Sequence, residues 1–151
     1  MLDLSDIHAA QERLRHKVRH TPLVRAAPVR ERPWGDAALW LKLECLQITG
    51  SFKARGAVNR LLTLDEDEVR RGLITASSGN HGLGVAYAGW LAGVPVTVYL
   101  PNTTPHSKAE KLELWEAKVV QKGAVWDEAN EAALQNVCAI VSGAGTDGIG
   151  D

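Results

Sequence analysis

Aromatic residues are scarce in this 151-residue chain: five tryptophans, two tyrosines and a single phenylalanine, Phe52, which stands directly before Lys53. Cysteine is scarcer still. Cys45 and Cys138 lie far apart without CxxC spacing, which excludes a disulfide scaffold and reads as two reduced thiols in a cytoplasmic protein. Neither sign of charge is in excess, with Lys+Arg 17 against Asp+Glu 18. The basic stripe that would mark a nucleic-acid partner is therefore missing, as is an acidic tail. Apolar runs are too short to span a bilayer. The acidic start Met1-Leu2-Asp3-Leu4-Ser5-Asp6 has no apolar core of the kind a secretory leader needs. The five histidines never fall at HxH or HExxH spacing, so no metal site is expected. What remains is an ordinary composition, 45% hydrophobic and 23% charged, long enough to bury one domain's core.

Periodicity divides the chain into two styles. Ser5 can cap a first helix whose face carries Ile7, Ala10, Leu14 and Val18, predicting a helix to about Arg19. Thr21-Pro22-Leu23-Val24 reads as extended because a residue before proline is pushed towards β. A loop over residues 26–36, with Pro28, Pro33 and Gly35, leads to a strand at Leu39-Trp40-Leu41-Lys42-Leu43. After Gly50, strand and helix alternate. A helix from Ser51 or Phe52 to about Leu62 precedes a buried strand, Leu73–Ala76. A nearly all-apolar helix, Asn80–Ala92, is ended by Gly93 and followed by a strand to Leu100. A helix opened by Pro105, a strand over Lys118–Lys122 and a helix from Trp126 to about Val137 complete the series. Such alternation predicts βαβ units and a parallel sheet, with ligands at the carboxyl ends of its strands.

Two runs carry the chemistry. In Thr49-Gly50-Ser51-Phe52-Lys53-Ala54-Arg55-Gly56-Ala57 the lysine falls at the start of a predicted helix. A lysine amine normally titrates near about 10.4. The positive end of a helix and burial both favour its neutral form, which attacks aldehydes. A lone lysine is far more often a solvated surface group, and Phe52 a core residue; the flanking Gly50 and Gly56 weigh against that. In Ser77-Ser78-Gly79-Asn80-His81-Gly82, small polar residues join a strand to a helix N-terminus. Unpaired N–H groups and the helix dipole there suit a carboxylate or phosphate, although serine and asparagine also serve as plain caps. His81 alone would more often be a packed helix residue than a base.

These runs, taken with Thr21-Pro22-Leu23, Leu41-Lys42-Leu43-Glu44, Gln47, Pro101-Asn102-Thr103-Thr104-Pro105, Lys108 and Trp126-Asp127-Glu128-Ala129, resemble the fold-type II pyridoxal-phosphate-dependent enzymes, the tryptophan synthase beta-like group. The likeness is closest to the threonine/serine dehydratase and serine racemase branch and covers about Thr21 to Ala129. It implies an α/β fold, a three-layer αβα parallel sheet. Residues 1–51 would form an N-terminal segment of the large domain, 52–137 the small domain and 138–151 a glycine-rich remnant of the large one. It implies pyridoxal 5'-phosphate as cofactor and an amino acid, serine or threonine, as substrate. Lys53 would be the Schiff-base residue and the base for the Cα proton, Phe52 would flank the cofactor ring, and Asn80 would bond its phenolic oxygen. Ser77, Ser78, Asn80 and His81 would hold the substrate carboxylate. The implied reaction is β-elimination to a 2-oxo acid and ammonia. Ser78 matches the position of the opposite-face acid/base in racemases, so racemization is the alternative.

The family's chains continue past this length, and their phosphate-cradling glycine loop and pyridine-facing residue lie downstream. On that footing the chain is a C-terminally truncated member, expected to expose apolar surface and self-associate as a homo-oligomer. A non-catalytic carboxylate- or phosphate-binding fragment is the rival from another class. Glu116 stands where the family usually has a helix-ending glycine, a strain of up to about 1 kcal/mol if φ is positive there. Gly143-Ala144-Gly145-Thr146-Asp147-Gly148 matches GxGxxG after a strand-like run at Cys138–Val141. A dinucleotide site needs a following helix and an acidic residue about 20 positions on, so the run reads as a flexible glycine-rich terminus.

Overall fold

The computed structural model describes residues 2–27, 35 and 37–141, with side chains as far as residue 137. The glycine-rich run over 143–148 and most of the loop over 26–36 lie outside the described residues. Helix α1 spans Leu4–Arg13 and is capped by Asp3, not Ser5. The Asp3 carboxylate accepts from the N–H groups of Ser5 and Asp6, and the Asp6 side chain accepts from the Asp3 N–H. A carboxylate at this end also gains from the helix dipole, which a serine does not. The helix stops short of the expected Arg19: a turn follows, and His16 sits at φ 62. Leu14 and Val18 still pack inward, against the cluster of Ala54, Val58, Leu61, Tyr87 and Ala88.

Strands β1 (Leu23–Arg25) and β2 (Trp40–Lys42) pair antiparallel as a ribbon, with Val24 opposite Leu41. Both are exposed throughout, leaving Leu23 and Trp40 in solvent. A 3-10 turn at Glu44–Leu46 leads to α2 (Lys53–Leu61). Helix α3 (Glu66–Arg70), capped by Asp65 with a reciprocal Glu68 contact, occupies a stretch for which periodicity gave no element, being five residues of all-polar surface apart from Val69.

The parallel sheet is as expected: β3 (Leu73–Ala76), β4 (Val96–Leu100) and β5 (Lys118–Gln121), in that order, with Thr75 beside Val98 and Val98 beside Val119. Side chains of β4 alternate between two buried faces. Val96, Val98 and Leu100 meet Ala86 of α4 (Asn80–Ala92) and Ala109 and Leu112 of α5 (His106–Glu113). Tyr99 meets Ala129, Ala132 and Ala133 of α6 (Trp126–Val141). The layers are therefore helix, sheet, helix, with α2 laid across α4. Each fully buried β4 aliphatic contributes about 1.5–3 kcal/mol. Strand β3 is half-buried, not buried, and lies at one edge of the sheet, as β5 does at the other. Pro105 caps α5 at ψ 139 and lies just before the first turn. Helix α6 continues through Val141, so the backbone at Cys138–Val141 is helical and not a strand. Glu116 sits at φ 60, in the left-handed region expected of its position.

Candidate functional site

Lys53 is the first residue of α2, one or two positions closer to the helix end than the sequence suggested, with Phe52 at the cap. Gly50 makes the preceding turn at φ 74. The buried Ser51 side chain accepts weakly from the Lys53 N–H at 3.4 Å. The Lys53 amine lies 5.1 Å from the centre of the Phe52 ring, a cation–π distance. Phe52 itself is 59% exposed, so it is a wall and not a core residue.

Helix α2 is fixed to the rest by two different devices. On one side it crosses α4 at Gly84, where a Cβ would stand 3.0 Å from both the carbonyl carbon and the oxygen of Lys53. No residue larger than glycine fits there without moving the lysine's own backbone. Beyond Lys53, the Arg55 guanidinium grips Glu44 with two bonds, Nε to Oε2 at 2.9 Å and a terminal nitrogen to Oε1 at 2.8 Å. The same terminal nitrogen donates to the Arg19 carbonyl at 3.0 Å and to Thr21 Oγ1 at 3.3 Å. Thr21 Oγ1 in turn donates to Glu44 at 2.5 Å, and Lys42 Nζ donates to the Thr21 carbonyl at 2.6 Å. Gln47 reads the adjacent backbone: its amide donates to the Arg19 carbonyl and its oxygen accepts from the Arg19 and Ile48 N–H groups. The Arg55 hydrogen bonds hold the Glu44 carboxyl well below its usual range, at about 2. Thr21, Lys42, Glu44, Gln47 and Arg55 belong to the motifs quoted above, but nothing in their spacing disclosed that they form one network.

A groove of about 470 Å³ opens beside Lys53, walled by Phe52, Gly56, Ala57, Thr75 and His81 among others. Gly56 and Ala57 follow Lys53 by three and four positions, hence on its face of the helix. The missing side chain of Gly56 and the single methyl of Ala57 leave the space, a signal that is readable in the sequence at this spacing. Thr75 was missed too; it lies on β3, two residues before the loop. A second hollow of about 280 Å³, on the α6 side of β3, shares Thr75 and His81 with the first.

The Ser77–Gly82 loop leaves the carboxyl end of β3 and enters α4, the location expected for a ligand loop. Gly82 is required there because a Cβ would collide with the Ser77 carbonyl. Gly79 is the N-cap and no side chain caps α4, so its first-turn N–H groups face outward unclaimed by a cap. The Trp126 indole donates to the Ala76 carbonyl at 2.8 Å, pinning α6 to the base of the loop. Phe52, Lys53 and His81 thus share one groove, whereas Ser77, Ser78 and Asn80 are not among the residues that line it. Ser77 and Ser78 are half-buried, and Asn80 and His81 are exposed. Chemically, the arrangement offers a primary amine for a carbonyl, an aromatic wall, and a helix N-terminus for an anion. Among the described residues no group of acids, histidines and cysteines could hold a metal ion, and no helix is long and apolar enough to cross a membrane.

The chain is similar to an L-threonine ammonia-lyase of Thermotoga maritima, 43% identical over 135 residues, which cover 89% of this chain and 33% of that protein. Among solved structures it resembles a processed threonine deaminase isoform from Solanum lycopersicum, with TM-score 0.79 and 30% identity over 93% of this chain and 39% of that one. A serine racemase from Dictyostelium discoideum is similarly close, with TM-score 0.79 and 32% identity over 94% of this chain and 44% of that one. The chain therefore spans about a third of the length of the curated relative it matches. Residues 14–144 match the model of the pyridoxal-phosphate dependent enzyme family, and the chain belongs to that family.

Proposed function

We propose that this chain is the lysine-bearing part of a pyridoxal-phosphate-dependent ammonia-lyase that acts on threonine or serine. The observation that carries the reading is Lys53 at the head of α2, its amine beside an aromatic wall in a groove shared with His81. The residues present fit the cofactor's own chemistry. A primary amine matches its aldehyde, Phe52 offers a flat apolar face to its ring, and the uncapped end of α4 suits an acid. In this reading Lys53 is the covalent attachment point, Phe52 flanks the ring and Asn80 bonds the phenolic oxygen. The cofactor, when bound, supplies the sink for the electron pair left at the substrate Cα. Ser77, Ser78, Asn80 and His81 hold the substrate carboxylate. Lys53 Nζ would remove the Cα proton, the β-hydroxyl would leave as water by taking up one proton, and hydrolysis by a second water would give a 2-oxo acid and ammonia. Residues 52–137 act as the small domain, and the phosphate loop comes from further chain, as the length of the relatives suggests.

The likeness to a serine racemase, together with the serine at position 78, supports a second reading in which Ser78 exchanges a proton on the opposite face. The test is the visible spectrum of the purified chain with added pyridoxal phosphate, beside Lys53→Ala. A borohydride-fixable band that needs Lys53 is the expected result. An equal band in both proteins would sink the proposal for this chain. With a Lys53-dependent band in hand, release of 2-oxo acid from L-threonine separates the lyase from production of D-serine by the racemase.

A further inference from the structure

We propose that the Glu44–Arg55 pair, locked by Thr21, is a positioning pair for Lys53, setting the first turn of α2 so that the lysine amine faces the groove. Arg55 follows Lys53 by two positions, so it leaves the helix on a different side from the groove-facing Lys53, Gly56 and Ala57. Four hydrogen bonds reach from its guanidinium to Glu44, Thr21 and Arg19, all in the segment before α2. The pair is partly sheltered, with Glu44 at 18% and Arg55 at 32% side-chain exposure. Its two-pronged geometry restricts rotation of α2 about its own axis, which a single contact would not.

The opposite restraint comes from α4, where the absent side chain of Gly84 lets that helix sit directly on the Lys53 carbonyl. Gly84 limits how near α2 lies, and the ion pair limits how it turns. With no side chain of Phe52 capping α2, the turn that carries Lys53 has the weak Ser51 contact and the Arg55 N–H bond to the Phe52 carbonyl at 3.0 Å, neither of which fixes the face that the helix turns to the groove. Its orientation therefore depends on these outer restraints. Neither Glu44 nor Arg55 lines the groove, so their action on the amine is indirect.

The inference rests on Lys53 being the reacting lysine, and two readouts keep the two ideas apart. The chain, Glu44→Gln and Arg55→Lys are each reductively methylated with ¹³C-formaldehyde, and the Lys53 signal is assigned with Lys53→Arg. In the parent the signal is expected to carry a ring-current displacement from Phe52, and in both variants that displacement is expected to collapse while the far-UV circular dichroism stays folded. An undisplaced parent signal, or folded variants that keep the displacement, overturns the positioning role whether or not the cofactor binds. In the second readout, borohydride fixation of pyridoxal phosphate at Lys53, read by peptide mass, is expected to fall about ten- to a hundredfold in both variants. Equal fixation in parent and variants also overturns it. A parent that fixes none at Lys53 counts against the proposed function, and the methyl signal then decides the positioning role alone.

Discussion

The lysine run and the serine–glycine loop meet at one groove but are built in opposite ways. Around Lys53, side chains do most of the holding: Glu44 of the preceding segment grips Arg55 of α2, a hydrophobic cluster of Ala54, Val58 and Leu61 lies beneath, and the bare Gly84 lets α4 close on the helix. Around Ser77–Gly82 side chains hold less: the Trp126 indole pins only the base of the loop at the Ala76 carbonyl. The loop hangs between the end of β3 and the start of α4, closed by the Gly82 contact and a long Gly79 N–H bond to Ser77 Oγ at 3.4 Å. A residue that must present one reactive atom gains from a rigid frame. A loop proposed to bind an acid gains from N–H groups that no side chain caps. The difference therefore separates a part braced by side chains from a part whose helix end no side chain caps.

The most severe way to break the frame is at Gly84. Gly84→Val should cost about 3 kcal/mol, because the new side chain meets the Lys53 carbonyl and the Ala54 nitrogen and forces α2 off α4. The urea midpoint reports the loss. A change below about 0.5 kcal/mol would mean that α2 rests elsewhere and that the frame around Lys53 is not as described.

Acid tests the other half of the frame. Glu44 titrates at about 2 in the folded chain against an ordinary 4.5. A depressed carboxyl contributes stability that is complete above its unfolded value and is lost as pH falls from 4.5 towards 2. Allowing for its partial exposure, the contribution is about 1–2 kcal/mol. The chain should lose that much more stability between these values than Glu44→Gln does, as measured by urea unfolding at each pH. Parallel pH profiles would show that the pair is too solvated to brace anything.

The regular frame was legible because its signals are local. Alternating apolar runs placed all three parallel strands, Gly93 ended α4 where a left-handed residue was needed, and Glu116 took the backbone conformation its position demanded. What escaped was set by distance in the chain. Arg55 meets Thr21 across 34 positions and Arg19 across 36, and no periodicity records such a pairing. Asp3 displaced Ser5 as the first cap because a charged oxygen competes better for the same N–H groups. The strand-like look of Cys138–Val141 misled for a related reason. Four apolar residues read equally as a strand or as the last turn of a buried helix, and α6 had already begun upstream.

The smallest expected effect falls on the loop and sharpens the contrast most. Gly79 caps α4 in an extended conformation at φ −119 and ψ −157, which any residue can adopt, and a Cβ there would touch nothing within 4 Å. Gly79→Ser should therefore be accommodated and should stabilise the chain by a few tenths of a kcal/mol, about 0.3, as its hydroxyl takes up a first-turn N–H. That hydroxyl would then compete with a carboxylate for the same donors. The urea midpoint should rise slightly while affinity for L-threonine or L-serine, the proposed substrates, read by titration, falls. A clear loss of stability instead would show that the loop is packed as tightly as the lysine run. The N–H groups at the head of α4 would then already be committed within the fold, and the division between a braced lysine run and an uncapped loop would not stand.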